Sequence, residues 1–260
     1  MSSDHSPLAR LLPYSEQEEL QNLIDFSIDM GHTGTADLPA ELHLAARTPV
    51  AMFLCSSDAE DAVHDSIQPS GAVILVAGSN YAMNGGSGTD GKFAVMGETD
   101  GICFCGAKIG PRGIRDGLTH TVAFTETLIG AGDSPDASSR PDLQVYRAKI
   151  GAPAALESTA AAGVEAAIAA SSGWDGTRST FWLRGYPPAG PIMNGRLTPN
   201  HPMPDLLSRA ARLTGPRSRH PGGVNACFCD GSVRFIDDSI APTTWHALWT
   251  RGGGEIVRLD

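Results

Sequence analysis

The side chains best able to do chemistry crowd into PRSRHPGGVNACFCDGSVRFI (216–236), where His220 precedes Cys227, Cys229 and Asp230. Imidazole, thiol and carboxylate are the groups that metal centres and thiol nucleophiles use. Spacing decides whether they can meet. Positions 224 to 229 alternate in character, and Asp230-Gly231 is a strong two-residue hairpin signal. A type I′ turn there sets Cys229 opposite Ser232, Phe228 opposite Val233, Cys227 opposite Arg234 and Ala226 opposite Phe235. Val224, Ala226, Phe228, Val233 and Phe235 then face the core, with Asn225, Cys227, Cys229, Ser232 and Arg234 on the other side. His220 lies ten residues before Asp230, up to ~30 Å along an extended strand. Unless the chain doubles back at Pro221-Gly222-Gly223, the two share no site. His220 is expected to hydrogen-bond backbone beside the glycine turn, and Asp230 to be the turn residue itself.

Cys103-Phe104-Cys105 repeats the Cys-Phe-Cys of positions 227 to 229. If both segments are strands and neighbours, Cys103, Cys105, Cys227 and Cys229 meet as buried or unpaired thiols, cross-strand disulfides or a four-thiolate zinc site. Zinc sites draw on C-x-x-C turns more than on C-x-C strands. Five cysteines is an odd number, so at least one thiol is free or pairs outside the chain.

The elements that would position these groups are short. Ser15-Glu16-Gln17-Glu18 is a capping-box pattern ahead of Leu20, Leu23 and Ile24, which predicts a helix over about 15–27. A helical turn follows near 41–47. Strands are expected at 50–55, 72–78, 101–109 and 120–129. A polar break at 131–142 and an alanine-rich helix at 153–171 read together as a surface insertion, 131–172. The proline-rich run 185–204 is expected as an extended loop. These patterns predict an α+β fold forming one domain over 1–260, with no internal repeat.

Composition removes several function classes. There are 19 basic against 29 acidic residues, for a formal charge of −10, and the basic residues are scattered. That pattern fits neither nucleic acid nor an anionic membrane surface. No run approaches eighteen apolar residues, and MSSDHSPLARLL lacks the regions of a signal peptide. Thirty glycines and eighteen prolines imply many turns. Gly86, Gly88 and Gly91 spell G-x-G-x-x-G, but no helical period follows, so 84–91 reads as a loop. No H-E-x-x-H, P-loop or G-x-S-x-G elbow is present, and Gly132-Asp133-Ser134 lies in a polar linker. The acidic run Asp58, Glu60, Asp61 and Asp65 lacks calcium-loop spacing and reads as a solvated face. No enzyme is expected.

His220, nine residues and Asp230-Gly231 also resemble the signature of the H-x9-DG family, a domain of unknown function. The likeness runs along nearly the whole chain. LARLLPYSEQEEL (8–20), FLCSSDAE (53–60), SNYAMNGG (79–86), IRDGLTHTVAFTE (114–126), MNGRLTPNHPMPD (193–205) and TTWHALWTRGGGEIV (243–257) are similar to its other motifs. Within the signature, His220, Gly222, Gly223, Asn225, Asp230 and Gly231 are taken as structural motif residues. The resemblance implies a pilin-like head with an antiparallel sheet, export and surface display. The pilin helix usual in the family is missing ahead of residue 8, which implies a chain without its usual anchor. Ser56 stands where the family has proline, the resemblance implies that Cys55 has lost a partner cysteine with the missing segment, and Cys103, Cys105 and Cys227 are unusual in the family. Two functions follow: a non-enzymatic surface head acting through protein contacts, or an extracytoplasmic module binding a sugar or small solute. For the second, Trp174, Trp182, Tyr186, Trp245 and Trp249 are the candidate stacking faces, although most are expected in the core.

Overall fold

A computed structural model describes residues 4–32, 34–186 and 189–255. The fold is α+β, with short helices α1 (Pro7–Leu11), α2 (Glu18–Gln21), α3 (His43–Arg47), α4 (Leu156–Ala161), α5 (Val164–Ala170) and α6 (Pro242–Ala247). Its strands are β1 (Val63–Ile67), β2 (Val73–Ala77), β3 (Tyr81–Asn84), β4 (Val122–Glu126), β5 (Arg147–Lys149), β6 (Trp174–Asp175), β7 (Ile192–Met193), β8 (Leu206–Ser208), β9 (Ala211–Leu213), β10 (Gly223–Phe228) and β11 (Val233–Asp237). They form a β1–β2 hairpin, a five-stranded sheet ordered β11-β10-β4-β3-β7 and a four-stranded sheet ordered β6-β5-β8-β9. Among the described residues, no helix is long and apolar enough to cross a membrane.

Three apolar clusters hold these layers. One joins Leu8, Leu12 and Leu42 to Val76 and Trp182. A second packs Val122, Val224, Ala226, Phe228 and Ile236 on one face of the five-stranded sheet against Trp245, Leu248 and Trp249. The third sets Ala148, Leu206 and Leu213 against Leu156, Ala167 and Trp174. Residues 131–172, expected as a surface insertion, therefore supply an interior strand, β5, and part of a core. A charged layer is also buried: Arg147, Arg178, Arg212 and Arg217 are each at most 3 % exposed, with Asp175 and Asp205 beside them. Asp205 Oδ1 accepts from Arg217 Nη2 at 2.9 Å and its Oδ2 lies 2.7 Å from Arg178 Nη1.

Several expected elements are corrected. Residues 15–27 do not form one helix, because the Ser15 hydroxyl donates backwards to the Leu11 and Leu12 carbonyls and Glu16 turns to φ +56°. Only Glu18–Gln21 is helical. Residues 50–55 make a single 3-10 turn, Ala51–Phe53, instead of a strand. Segment 101–109 is a loop, with Cys103 N bonded to Asn84 O at 2.9 Å and Cys105 N to Val95 O at 2.7 Å. The alanine-rich stretch breaks into α4 and α5 at Gly163.

The hairpin β10–β11 forms, but one residue out of the expected register: Cys227 pairs with Val233 and Asn225 with Phe235. Phe228 N donates to Ser232 O at 2.8 Å and Gly231 N to Phe228 O at 2.9 Å, so the loop is Cys229-Asp230-Gly231. Gly231 takes φ +86° while Asp230 keeps a negative φ, the pattern of a type I turn closed by a left-handed glycine rather than of type I′. A one-residue shift exchanges the two faces of a strand. Ile236 therefore enters the core, whereas Val233 and Phe235 stand 65 % and 51 % exposed.

Candidate functional site

Away from α6, the five-stranded sheet carries two rows of side chains. Residues opposite each other on neighbouring strands share a face, so Met83, Phe124, Cys227 and Val233 make one row. Tyr81 and Glu126 are opposed in the next row, as are Asn225 and Phe235. An irregularity beside Ala123, where Cys227 pairs with Phe124 but Phe228 with Val122, keeps Val122 in the core while Phe124 and Glu126 point to this side.

At the Glu126 end of the second row, three chemical groups converge. His220 Nε2 lies 3.1 Å from Glu126 Oε1 and 3.5 Å from Cys55 Sγ. One ligand atom from each of Cys55, Glu126 and His220 falls within 4.8 Å of the others, and among the described residues this is the group of three or more metal-capable side chains that the fold assembles. Glu126 is held from β10: Asn225 N donates to Oε2 at 2.7 Å and Asn225 Nδ2 to Oε1 at 3.0 Å. Cys55 is held by Asn80, whose Oδ1 accepts from Cys55 N at 2.9 Å while its Nδ2 donates to Asp58 Oδ2 at 2.6 Å. His220 is held by Ser218, whose hydroxyl accepts from His220 N at 2.9 Å and donates to Gly223 O at 3.0 Å. Burial first, and then Cys55 and Glu126, raise the Tyr81 hydroxyl above its ordinary value of 10.0, so it stays protonated here.

Chemically the arrangement offers a thiol, a carboxylate and an imidazole around one point. It departs from the usual geometry of a nucleophilic relay. In such a relay the base meets the nucleophile through one ring nitrogen and the orienting acid through the other, whereas here both partners approach Nε2.

The structure separates His220 from Asp230, which accepts from Ser232 N at 2.9 Å and Ser232 Oγ at 2.7 Å. The His220 ring, expected on backbone, meets two side chains instead. Gly222 and Gly231 take positive φ in the turns at either end of β10, and a side chain at Gly223 would collide with the Ile236 carbonyl oxygen. Cys55, Cys103, Cys227 and Cys229 are free thiols. Cys227 sits in β10 and Cys229 in its turn, but Cys103 and Cys105 occupy a loop, so the expected pair of neighbouring Cys-Phe-Cys strands does not exist. Burial pushes the Cys103 thiol up to about 12.

Trp174, Trp182, Trp245 and Trp249 are fully buried and offer no stacking face. The indole nitrogens of Trp174 and Trp182 donate to Ser139 O and Thr48 O. Tyr186 is half-buried, with its ring stacked 4.3 Å from that of His32. The residues that sequence reasoning missed are Cys55, Glu126, Asn80 and Tyr81. Each lay inside a quoted family-like stretch, FLCSSDAE, IRDGLTHTVAFTE or SNYAMNGG. Reading the polar letters of those stretches as one set is the signal that would have gathered them.

Among curated proteins and among solved structures, none matches the chain significantly. A family model described as a protein of unknown function (DUF1559), with the label SBP_bac_10, matches residues 1–243. Covering nearly the full length, including Cys55, Glu126 and His220, that match shows that the chain belongs to the DUF1559 family.

Proposed function

We propose that this chain is a non-enzymatic, pilin-like head domain that works outside the cytoplasm through protein contacts. The observation that carries the reading is the apolar end of the two sheet rows, where Val233 and Phe235 stand in solvent beside Cys227 and Phe124. Exposed apolar patches of this kind mark interaction surfaces. The occupant is a protein that lays an apolar segment across β10 and β11. The resemblance to the H-x9-DG family supports the extracytoplasmic setting. A photo-crosslinking residue placed at Phe235 in producing cells is expected to capture a protein partner, and Val233→Glu to abolish the adduct. The same residue at Met52, exposed in the Ala51–Phe53 turn outside the five-stranded sheet, serves as control. Equal capture at both positions, or none at Phe235, removes the reading.

A second reading has its own observation. A groove of about 760 Å³ opens between the N-terminal segment and the 95–109 loop, lined by Arg10, Met96, Phe104, Lys108 and Tyr186. Its size suits a small ligand, and the label SBP_bac_10 is that of a bacterial solute-binding family. Calorimetry with sugars and amino acids checks it, and Tyr186→Ala is expected to weaken any binding found.

A further inference from the structure

We propose that Cys55, Glu126 and His220 form a mononuclear zinc site. Zinc takes thiolate sulfur at about 2.3 Å and imidazole nitrogen or carboxylate oxygen at about 2.0–2.2 Å, usually in a tetrahedron. Those lengths place sulfur about 3.6 Å from nitrogen and nitrogen about 3.4 Å from oxygen. The separations here are 3.5 Å and 3.1 Å, each within a few tenths of an ångström of those values, and all three ligand atoms lie within 4.8 Å of one another. The ion takes the place of the hydrogen between His220 Nε2 and Glu126 Oε1, and the neutral ring then carries its proton on Nδ1.

Charge and surroundings agree with a cation. A Cys55 thiolate and a Glu126 carboxylate neutralise a divalent ion, with His220 neutral and the Cys55 proton released to solvent. The thiolate selects zinc over the hard cations calcium and magnesium. Glu126 is already oriented by both Asn225 nitrogens, as carboxylate ligands usually are. A cavity of about 10 Å³ adjoins Cys55 and Glu126 and is also lined by Asp58. The Asp58 Oδ1 atom is buried with no hydrogen-bond partner among the described residues. It supplies a further acceptor for a water on the metal. His220, 30 % exposed at its side chain, leaves the fourth position open to solvent.

The test is titration of the native chain with zinc alone, and with cobalt alone for its spectrum. One equivalent is expected to bind, with a thiolate-to-cobalt charge-transfer band. Cys55→Ser should remove the band, His220→Ala should weaken zinc more than about 100-fold and Asn225→Ala about 10-fold, while Cys227→Ser should change nothing. No uptake by the native chain, or uptake unchanged in Cys55→Ser, overturns the proposal and leaves an ion pair beside a thiol. Should Cys55→Ser fail to fold, iodoacetamide labelling of the native chain replaces it. Zinc protection confined to Cys55 supports the site, and protection absent or elsewhere overturns it.

Discussion

Glu126 shows how one side chain can fasten separate parts of the chain. Its carboxylate is 4 % exposed, yet it receives Asn225 through two nitrogens and meets His220. Hydrogen bonds to a charged acceptor are worth about 1.5–3 kcal/mol each, and orphaned donors add a desolvation cost. Glu126→Ala is expected to destabilise the fold by about 3 kcal/mol in urea unfolding, because Asn225 N and the His220 ring lose their acceptor together. At this scale the sequence was half legible. The separation of His220 from Asp230 followed from chain length alone, because an extended strand keeps its two ends apart. The partners of His220 did not follow: Cys55 is 165 residues away and Glu126 is 94, and no periodicity carries information over such distances.

The hairpin is the element where sequence reasoning came nearest and missed by one residue. Asp-Gly closes a two-residue turn of type I′ and equally a three-residue loop built on a type I turn. Asp230 bonding Ser232 N and Oγ favours the second. Gly231→Ala, at φ +86° with open space around it, is expected to cost about 1 kcal/mol through backbone strain alone. Gly223→Ala is expected to cost more, because the obstruction is the Ile236 carbonyl of the paired strand. Thermal melts of the two variants give the ranking. The helix expected at 15–27 failed for a related reason: Ser15 has two uses, as an opening cap or as an acceptor-seeking hydroxyl, and only the packed chain chooses between them.

Over the whole molecule, the α+β class was legible, but β5 to β9 were not, since strands of two or three residues carry no alternation to read. The buried charge layer was also hidden, because its arginines are spread from 147 to 217. Four arginines there face two aspartates, Asp175 and Asp205. Burial, and then neighbouring Arg147, push the Arg212 guanidinium down to about 9, and its Nη2 has no hydrogen-bond partner among the described residues. Arg212→Met is expected to raise the melting temperature, in line with gains of about 1–4 kcal/mol when buried charge gives way to packed apolar groups. Asp205→Asn should lower it, since Arg178 and Arg217 lose their counter-charge.

Stability should also depend on acidity. His64, His201 and His246 are all held below the ordinary 6.5, chiefly by burial. A histidine buried neutral binds protons more readily when unfolded. Its stabilising effect is complete above pH 6.5 and declines as the pH falls from there towards the depressed folded values. A melting temperature that drops between pH 7 and 5, and drops less in His64→Gln, is the expected result.

The length of the turn after Phe228 decides which pair of β11 side chains is wetted. Removing a single residue from that turn would draw Val233 and Phe235 inward and push Arg234 and Ile236 out. Whether this edge of the sheet is greasy or cationic thus rests on one peptide unit, and a deletion there would alter its adhesiveness without changing the composition of the strand.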